Sequence, residues 1–213
     1  MRYSLTRFAN NTDEIIFPGV GPYEIPKIMP EKYEPCKKWI PFSDANRCTV
    51  PEQAGVHFFI DDYRFERVWQ NWKRYGEQLK RFHSIMTPDF SMFTDYPIAL
   101  QLWNHYRKQF VGAYLQTLGC KVYPTLCWSD ERSYAFCFDG VPVGGCVCVS
   151  SVGTQKHRES KRLFSMGYSA MLERLQPETV IFYGDIPKEC KGNIVHILAF
   201  QEKFKVVKNG DFS

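Results

Sequence analysis

The stretch VHFFIDDYRF, residues 56–65, decides the fold class. Val56–Ile60, four apolar residues and His57, run without regular alternation and stop at two aspartates. Apolar side chains then return at three- and four-residue steps: Phe65, Val68, Trp69, Trp72, Tyr75, Leu79 and Phe82. A near-continuous apolar run of that length reads as a strand covered on both faces, and the stepped pattern behind it as one face of a helix.

The same unit recurs along the chain. His83–Thr87 is a second apolar run, followed by a helix from Pro97 whose face is Ile98, Leu102, Tyr106, Phe110, Ala113, Tyr114 and Leu118, stopped by Gly119. Cys120–Trp128 is the third strand. Behind it Ser129–Phe138 is a short helix ended by Gly140, or else a hairpin turning at Asp139-Gly140. Gly145–Ser151 is the fourth strand, and Leu163, Phe164, Tyr168, Met171, Leu172 and Leu175 mark the helix after it. Thr179–Gly184 is the fifth strand and Asn193–Phe200 the sixth. This alternation predicts an α/β fold with a mostly parallel sheet of five or six strands. The units are too few for an eight-stranded barrel, so an incomplete, barrel-like sheet is the first expectation and an open doubly wound sheet the second.

Before Gly55 the composition differs. Pro18, Pro22, Pro26, Pro30 and Pro35 recur at near-regular intervals, each removing a donor and favouring extended backbone before it. Residues 1–54 are expected to form an arm packing on a single α/β domain, residues 55–213. Ile25, Ile28, Met29, Trp39, Ile40 and Phe42 would pack onto that domain.

Bulk properties narrow the function classes. With 44% hydrophobic and 23% charged residues the chain is not globally disordered. A net charge of +4 permits a phosphate-bearing partner without requiring one. The opening residues lack the apolar core of a signal peptide, and no run of about 18 apolar residues suggests a membrane span. A cytoplasmic setting with no membrane partner is the expectation, and there the eight cysteines stay reduced. Cys146 and Cys148 share one strand face opposite Val147 and Val149 and read as buried small hydrophobes.

In parallel α/β folds ligands collect beyond the carboxyl ends of the strands. The loops there would carry Asp61 and Asp62, then Asp89 and Ser91, then Trp128, then Ser150, Ser151, Gly153 and Thr154, and finally Gly184 and Asp185. Such residues also serve as ordinary caps and turns. Asp89, Asp61 and Asp185 are the candidate catalytic acids; if they converge they could share protons or hold a hard cation such as Mg²⁺. Asp95 is read as the cap of the helix beginning near Pro97, which leaves Asp89 without a structural duty. Lys156, Arg158, Lys161 and Arg162 crowd a helix entrance and are the candidate contacts to phosphate or nucleic acid. His157 stands among them without a nameable partner. The P-loop spacing is absent, as are G-x-S-x-G, H-E-x-x-H and G-x-G-x-x-G. Cys127 is read as a buried thiol, and Arg107, Lys108, Gln109 and Gln116 as the solvent-facing side of their helix.

The series TPDFSMFTDYP, QLWNHYR, GAYLQTLGCKVYPTLCWSD, FDGVP, SSVGT and GYSAMLERLQPETVIFYG resembles a family of uncharacterised bacterial and phage proteins, a domain of unknown function. The likeness covers roughly residues 55–184. It implies a phage or mobile-element origin, hence a bacterial host cytoplasm, and marks Asp89, Ser91, Asp95, Gln116, Gly119, Pro124, Trp128, Gly153 and Gly184 as signature positions. Three functions remain open: an enzyme acting on a nucleotide or nucleic acid, a non-enzymatic scaffold binding nucleic acid or a host protein, and a glycosidase-like carbohydrate site with paired carboxylates.

Overall fold

The structure, a computed structural model, describes residues 15–199. Residues 1–14 of the expected arm, and Phe200 at the end of the expected sixth strand, lie outside the described residues. A short antiparallel pair comes first, β1 (Gly19–Val20) with β2 (Ile25–Pro26). Parallel strands follow in chain order: β3 (Lys38–Pro41), β4 (Ala54–His57), β5 (Ser84–Met86) and β6 (Val122–Tyr123) form one sheet. A second parallel sheet holds β7 (Cys146–Ser150), β8 (Thr179–Tyr183) and β9 (Ile194–Ile197). The helices are α1 (Glu66–Gln70), α2 (Trp72–Leu79), α3 (Ile98–Thr117) and α4 (Arg158–Leu175). Among the described residues no helix is long and apolar enough to cross a membrane.

The mixed α/β class and the parallel pairing match the sequence reading, with local corrections. The sheet gains a strand from the proline-rich region, because Lys38–Pro41 pairs in parallel with Ala54–His57; its four residues are too few to show a period. The first strand stops at His57, two residues after Gly55, since the Phe59 N–H turns back to His57 Nδ1 (3.3 Å) and the Ile60 N–H to the Phe58 carbonyl (2.7 Å). The helix expected from Phe65 is two pieces, broken where Asn71 leaves helical geometry (φ −132°, ψ 48°), as a side chain that competes for backbone hydrogen bonds allows. The third strand shrinks to two residues before Pro124. Beyond it a 3₁₀ turn, Glu131–Ala135, replaces both the helix and the hairpin; its cap is Asp130, whose carboxylate accepts from the Arg132 N–H (3.0 Å).

The two sheets meet at one bridge, Thr125 beside Cys148, where the Leu126 N–H donates to the Cys148 carbonyl (2.7 Å) and the Cys148 N–H to that of Pro124 (2.8 Å). Alternation along the strands separates two environments. Outward side chains Val56, Phe58, Ile85 and Val122 pack with Phe65, Val68 and Leu79 and with Val111 and Leu115 of α3. Val147, Val149, Val180 and Phe182 pack with Phe164, Tyr168, Met171 and Leu175 of α4. Inward lie Met86, Tyr123, Cys146, Cys148, Ile181, Tyr183 and Ile197. The two cysteines and two valines of β7 divide between the faces as the sequence indicates.

Inside, the His57 ring lies 4.8 Å from that of Tyr183, and Phe59 stacks on Tyr183 at 5.0 Å. Three strands separate β4 from β8 along the joined sheets, so the sheets curl to bring these rings together. No closed barrel forms; among the described residues no pairing joins β9 to β3.

Candidate strand-end site

All seven parallel strands direct their carboxyl ends to one face, and most of the candidate site residues lie on the loops leaving it, with Ser150 at the end of β7 and Arg158, Lys161 and Arg162 in the first turns of α4. One of these, residues 87–97, has no regular secondary structure along its whole length and carries Asp89 and Ser91. An irregular segment of that length needs partners for its backbone groups. Helix α3 supplies them from one polar stripe. Gln101 Nε2 donates to the carbonyls of Phe93 (3.1 Å) and Tyr96 (2.9 Å), and Asn104 Nδ2 to that of Ser91 (2.6 Å). One helical turn further on, Lys108 Nζ donates to Cys127 Sγ at 3.0 Å. Gly112 ends the stripe, where a Cβ would stand 2.7 Å from Thr87. Thr87 in turn holds Thr125 through its hydroxyl and its carbonyl, both at 2.8 Å.

This overturns the reading of α3 as a one-sided amphipathic helix. Arg107, Lys108 and Gln109 are buried, Lys108 completely, while Leu100 and Trp103 are exposed. Gln116 is half-buried and clasps the backbone of Met29 through both its amide oxygen and its amide nitrogen (2.8 and 3.0 Å). The polar residues at 101, 104, 105 and 108 follow helical spacing, and that stripe was the available signal. It becomes informative once the facing segment is recognised as strandless and rich in unpaired carbonyls.

Asp89 ends at this stripe. Its residue is partly exposed, yet Oδ1 is out of solvent and has no hydrogen-bond partner among the described residues. Burial pushes its carboxyl up to about 6; the nearby Lys108 ammonium and the Cys127 thiol pull the other way, and Asp62 adds to the rise. Burial alone would lower Lys108, but Cys127 and Asp89 more than offset it and hold the ammonium charged. The Cys127 thiol is driven up to about 12, chiefly by burial, so it is no thiolate nucleophile. His105, three residues before Lys108 on α3, is pushed down to about 3 by burial and by Lys108. Its Nε2 meets the Asp139 carbonyl (2.9 Å), which makes Nε2 the protonated nitrogen of a neutral ring.

A second cluster braces the same loop. Asp62 accepts from the Ser91 N–H (3.0 Å) and hydroxyl (2.8 Å), one with each oxygen. Arg107 grips Glu66 with Nη1 (2.6 and 2.8 Å), reaches Asn104 with Nε (3.1 Å) and lies 3.7 Å over the Phe90 ring. Asp62 and Asp89 thus come within electrostatic reach of each other. Asp61 is largely exposed beside Arg64 (3.7 Å), and Asp185 is exposed on its own loop. Among the described residues no three His, Cys, Asp or Glu side chains are placed to hold a metal ion. The expected cap, Asp95, is exposed; α3 starts from Pro97 without a side-chain cap.

The remaining loop residues mostly hold one another. Ser151 is buried and donates to the Asp185 carbonyl (2.6 Å), and its own carbonyl accepts from the Thr154 N–H (3.0 Å) and hydroxyl (2.7 Å). Ser150 accepts from the Val152 N–H (3.2 Å). Gly184, at φ +93°, brings the next loop against the Ser151 hydroxyl. Gly153 is likewise left-handed, at φ +83°. Trp128 lies flat on Gly167 of α4 and donates to the Leu163 carbonyl (3.2 Å). Lys156, Arg158, Lys161 and Arg162 are all exposed at the start of α4, where His157 takes the cap position without a side-chain bond. Arg162 is paired with Glu159 (2.7 Å).

Two phage proteins are similar over most of the chain. The "Gene 1 protein" of Mycobacterium phage L5 is 37% identical over 171 residues, 80% of this chain and 75% of its own length. The "Gene 1 protein" of Mycobacterium phage D29 is 38% identical over 169 residues, 79% of this chain; the match spans 63% of that relative, less than two thirds of its length. No solved structure matches. The family model described as "Domain of unknown function (DUF4417)" matches residues 17–201, and the chain belongs to that family.

Proposed function

We propose that the chain binds a phosphate-bearing ligand, a nucleotide or nucleic acid, across the carboxyl-end face of its curled sheet. The supporting observation is the entrance to α4. The uncapped first turn of an 18-residue helix opens on that face beside exposed Lys156, Arg158 and Lys161. Free N–H groups and mobile cations together favour a phosphate. Asp89 lies behind the same face with a carboxyl near 6, a value suited to acid–base work on a bound ligand. The inward contact of His57 with Tyr183 supports the incomplete, barrel-like form of the sheet over the open doubly wound one.

The scaffold reading, binding without catalysis, draws support from the placement of the acids. Asp61 and Asp185 are exposed on separate loops, and both oxygens of Asp62 are engaged by Ser91. The same engagement weakens a carbohydrate site built on two facing carboxyls.

Fluorescence anisotropy with a labelled single-stranded oligonucleotide, and with a labelled ATP analogue, tests the proposal. Binding should weaken with salt and fall at least tenfold when Lys156, Arg158, Lys161 and Arg162 are all changed to Ala. For a single strand the logarithmic salt slope should drop by about 3 if all four meet phosphate. Binding indifferent to both salt and these substitutions would overturn it. Turnover lost in Asp89→Asn with binding intact would select the enzyme over the scaffold.

A further inference from the structure

Lys108 and Cys127 form a contact that the proposed ligand site does not use. Sulfur is a poor acceptor for an ammonium group, yet Nζ and Sγ stand 3.0 Å apart inside the fold. Both backbones are fixed. Lys108 sits in the middle of the 20-residue helix α3, and Cys127 lies between Leu126, bonded to Cys148, and Trp128, bonded to Leu163. The Asp89 carboxyl lies beside both groups and has an oxygen without a partner. Cys127 is half-buried as a residue, whereas neighbouring Cys137 is fully buried.

We propose that Lys108 and Cys127 are a site of reversible oxidative cross-linking, in which one oxygen atom bridges Nζ and Sγ. With dioxygen as oxidant, the ammonium and the thiol give a bridge in which Nζ keeps one hydrogen and is joined through oxygen to Sγ, that is an N–O and an O–S bond, with one water and one proton released. Nitrogen and sulfur each give up two electrons. Dioxygen accepts the four, two at the bridging oxygen and two at the oxygen leaving as water. The released proton passes to the Asp89 carboxylate. With hydrogen peroxide two equivalents supply the same four-electron oxidation and three waters leave. The link would staple α3 to the segment that follows β6.

Intact-mass and peptide mapping of the folded protein after peroxide treatment tests this. Because burial keeps the thiol protonated, treatment continues until the mass is constant. The expected product gains about 14 Da, one oxygen added and two hydrogens lost, and returns to the starting mass with dithiothreitol. Trypsin should no longer cut after Lys108, and its peptide should carry the Cys127 peptide. Cys137→Ser should still form the link, while Cys127→Ser and Lys108→Arg should not. Added oxygens on Cys127 without a link, a Cys127–Cys137 disulfide, or an unmodified pair would each overturn the proposal. The wild-type map decides even where a variant fails to fold, and it is independent of whether the strand-end face binds phosphate.

Discussion

Asp62 holds Ser91 twice, Oδ2 accepting from its backbone N–H at 3.0 Å and Oδ1 from its hydroxyl at 2.8 Å. That pair ties the loop after β4 to the loop after β5 and stands next to Asp89, whose carboxyl it helps to raise. Replacing Asp62 with Ala removes two charge-assisted acceptors from a half-buried site. A loss of about 1.5–3 kcal/mol in urea unfolding is expected, together with a lower Asp89 pKa by carboxyl NMR titration. An unchanged Asp89 titration would show that the two acids do not sense each other.

Lys108 and Asp89 should be strongly non-additive. Lys108→Met leaves the buried carboxylate without its cation and should cost about 3–5 kcal/mol near neutral pH. Adding Asp89→Asn should restore part of that loss, since the uncompensated charge disappears. Chemical denaturation of the four proteins of the cycle measures the coupling. Additive losses would mean that the charges do not interact.

Asp89 and His105 should pull the pH dependence in opposite directions. The folded state holds the Asp89 proton up to about 6, so this contribution is complete below the ordinary aspartate value of about 4 and is lost as pH rises through 6. The folded state refuses a proton on His105 down to about 3, so that contribution is complete above about 6.5 and is lost as pH falls. Between about pH 4 and 6 the two slopes oppose, each on the order of 1 kcal/mol per pH unit. Relative to wild type, Asp89→Asn should lose stability more steeply as pH falls, and His105→Gln should gain it. Parallel curves for all three would sink the assignment.

Arg107 is not replaceable by lysine. Its guanidinium meets both Glu66 oxygens, Asn104 and the face of Phe90 at once. A lysine keeps the charge and loses the fork and the stacking. Arg107→Lys should cost about 2 kcal/mol, with loosening of the 87–97 loop visible as faster amide exchange there. Exchange confined to wild-type rates would count against this bracing role.

Gly167 makes room for Trp128, since a Cβ there would stand 2.1 Å from the indole nitrogen. Gly167→Ala should destabilise by about 1–3 kcal/mol and red-shift the tryptophan emission as the indole is displaced toward water.

The unequal legibility of the sequence has physical causes. Gly145–Ser151 and Thr179–Gly184 announce themselves because strands buried on both faces are apolar almost throughout, whereas Val56–Ile60 overlaps its strand, Ala54–His57, at only two residues. Lys38–Pro41 does not, because an edge strand of four residues with a terminal proline looks like the turns around it. Helix α3 misleads for a different reason. Its polar stripe satisfies a neighbouring loop rather than water, and sequence periodicity cannot distinguish those two uses. Asp89 was legible from its place after a strand and a proline. Its surroundings were not, because Lys108 and Cys127 come from elements 19 residues apart that only the tertiary fold brings together.

The bridge at Thr125 and Cys148 carries a mechanical implication. The two sheets share little ladder there: one bridge and the two backbone hydrogen bonds beside it join them directly, while the paired threonines 87 and 125 anchor only the β6 side of the seam. The amides of Leu126 and Cys148 therefore act as a strain gauge. Their exchange rates should report any loosening between the halves, including one produced by a ligand drawn across the open end of the sheet.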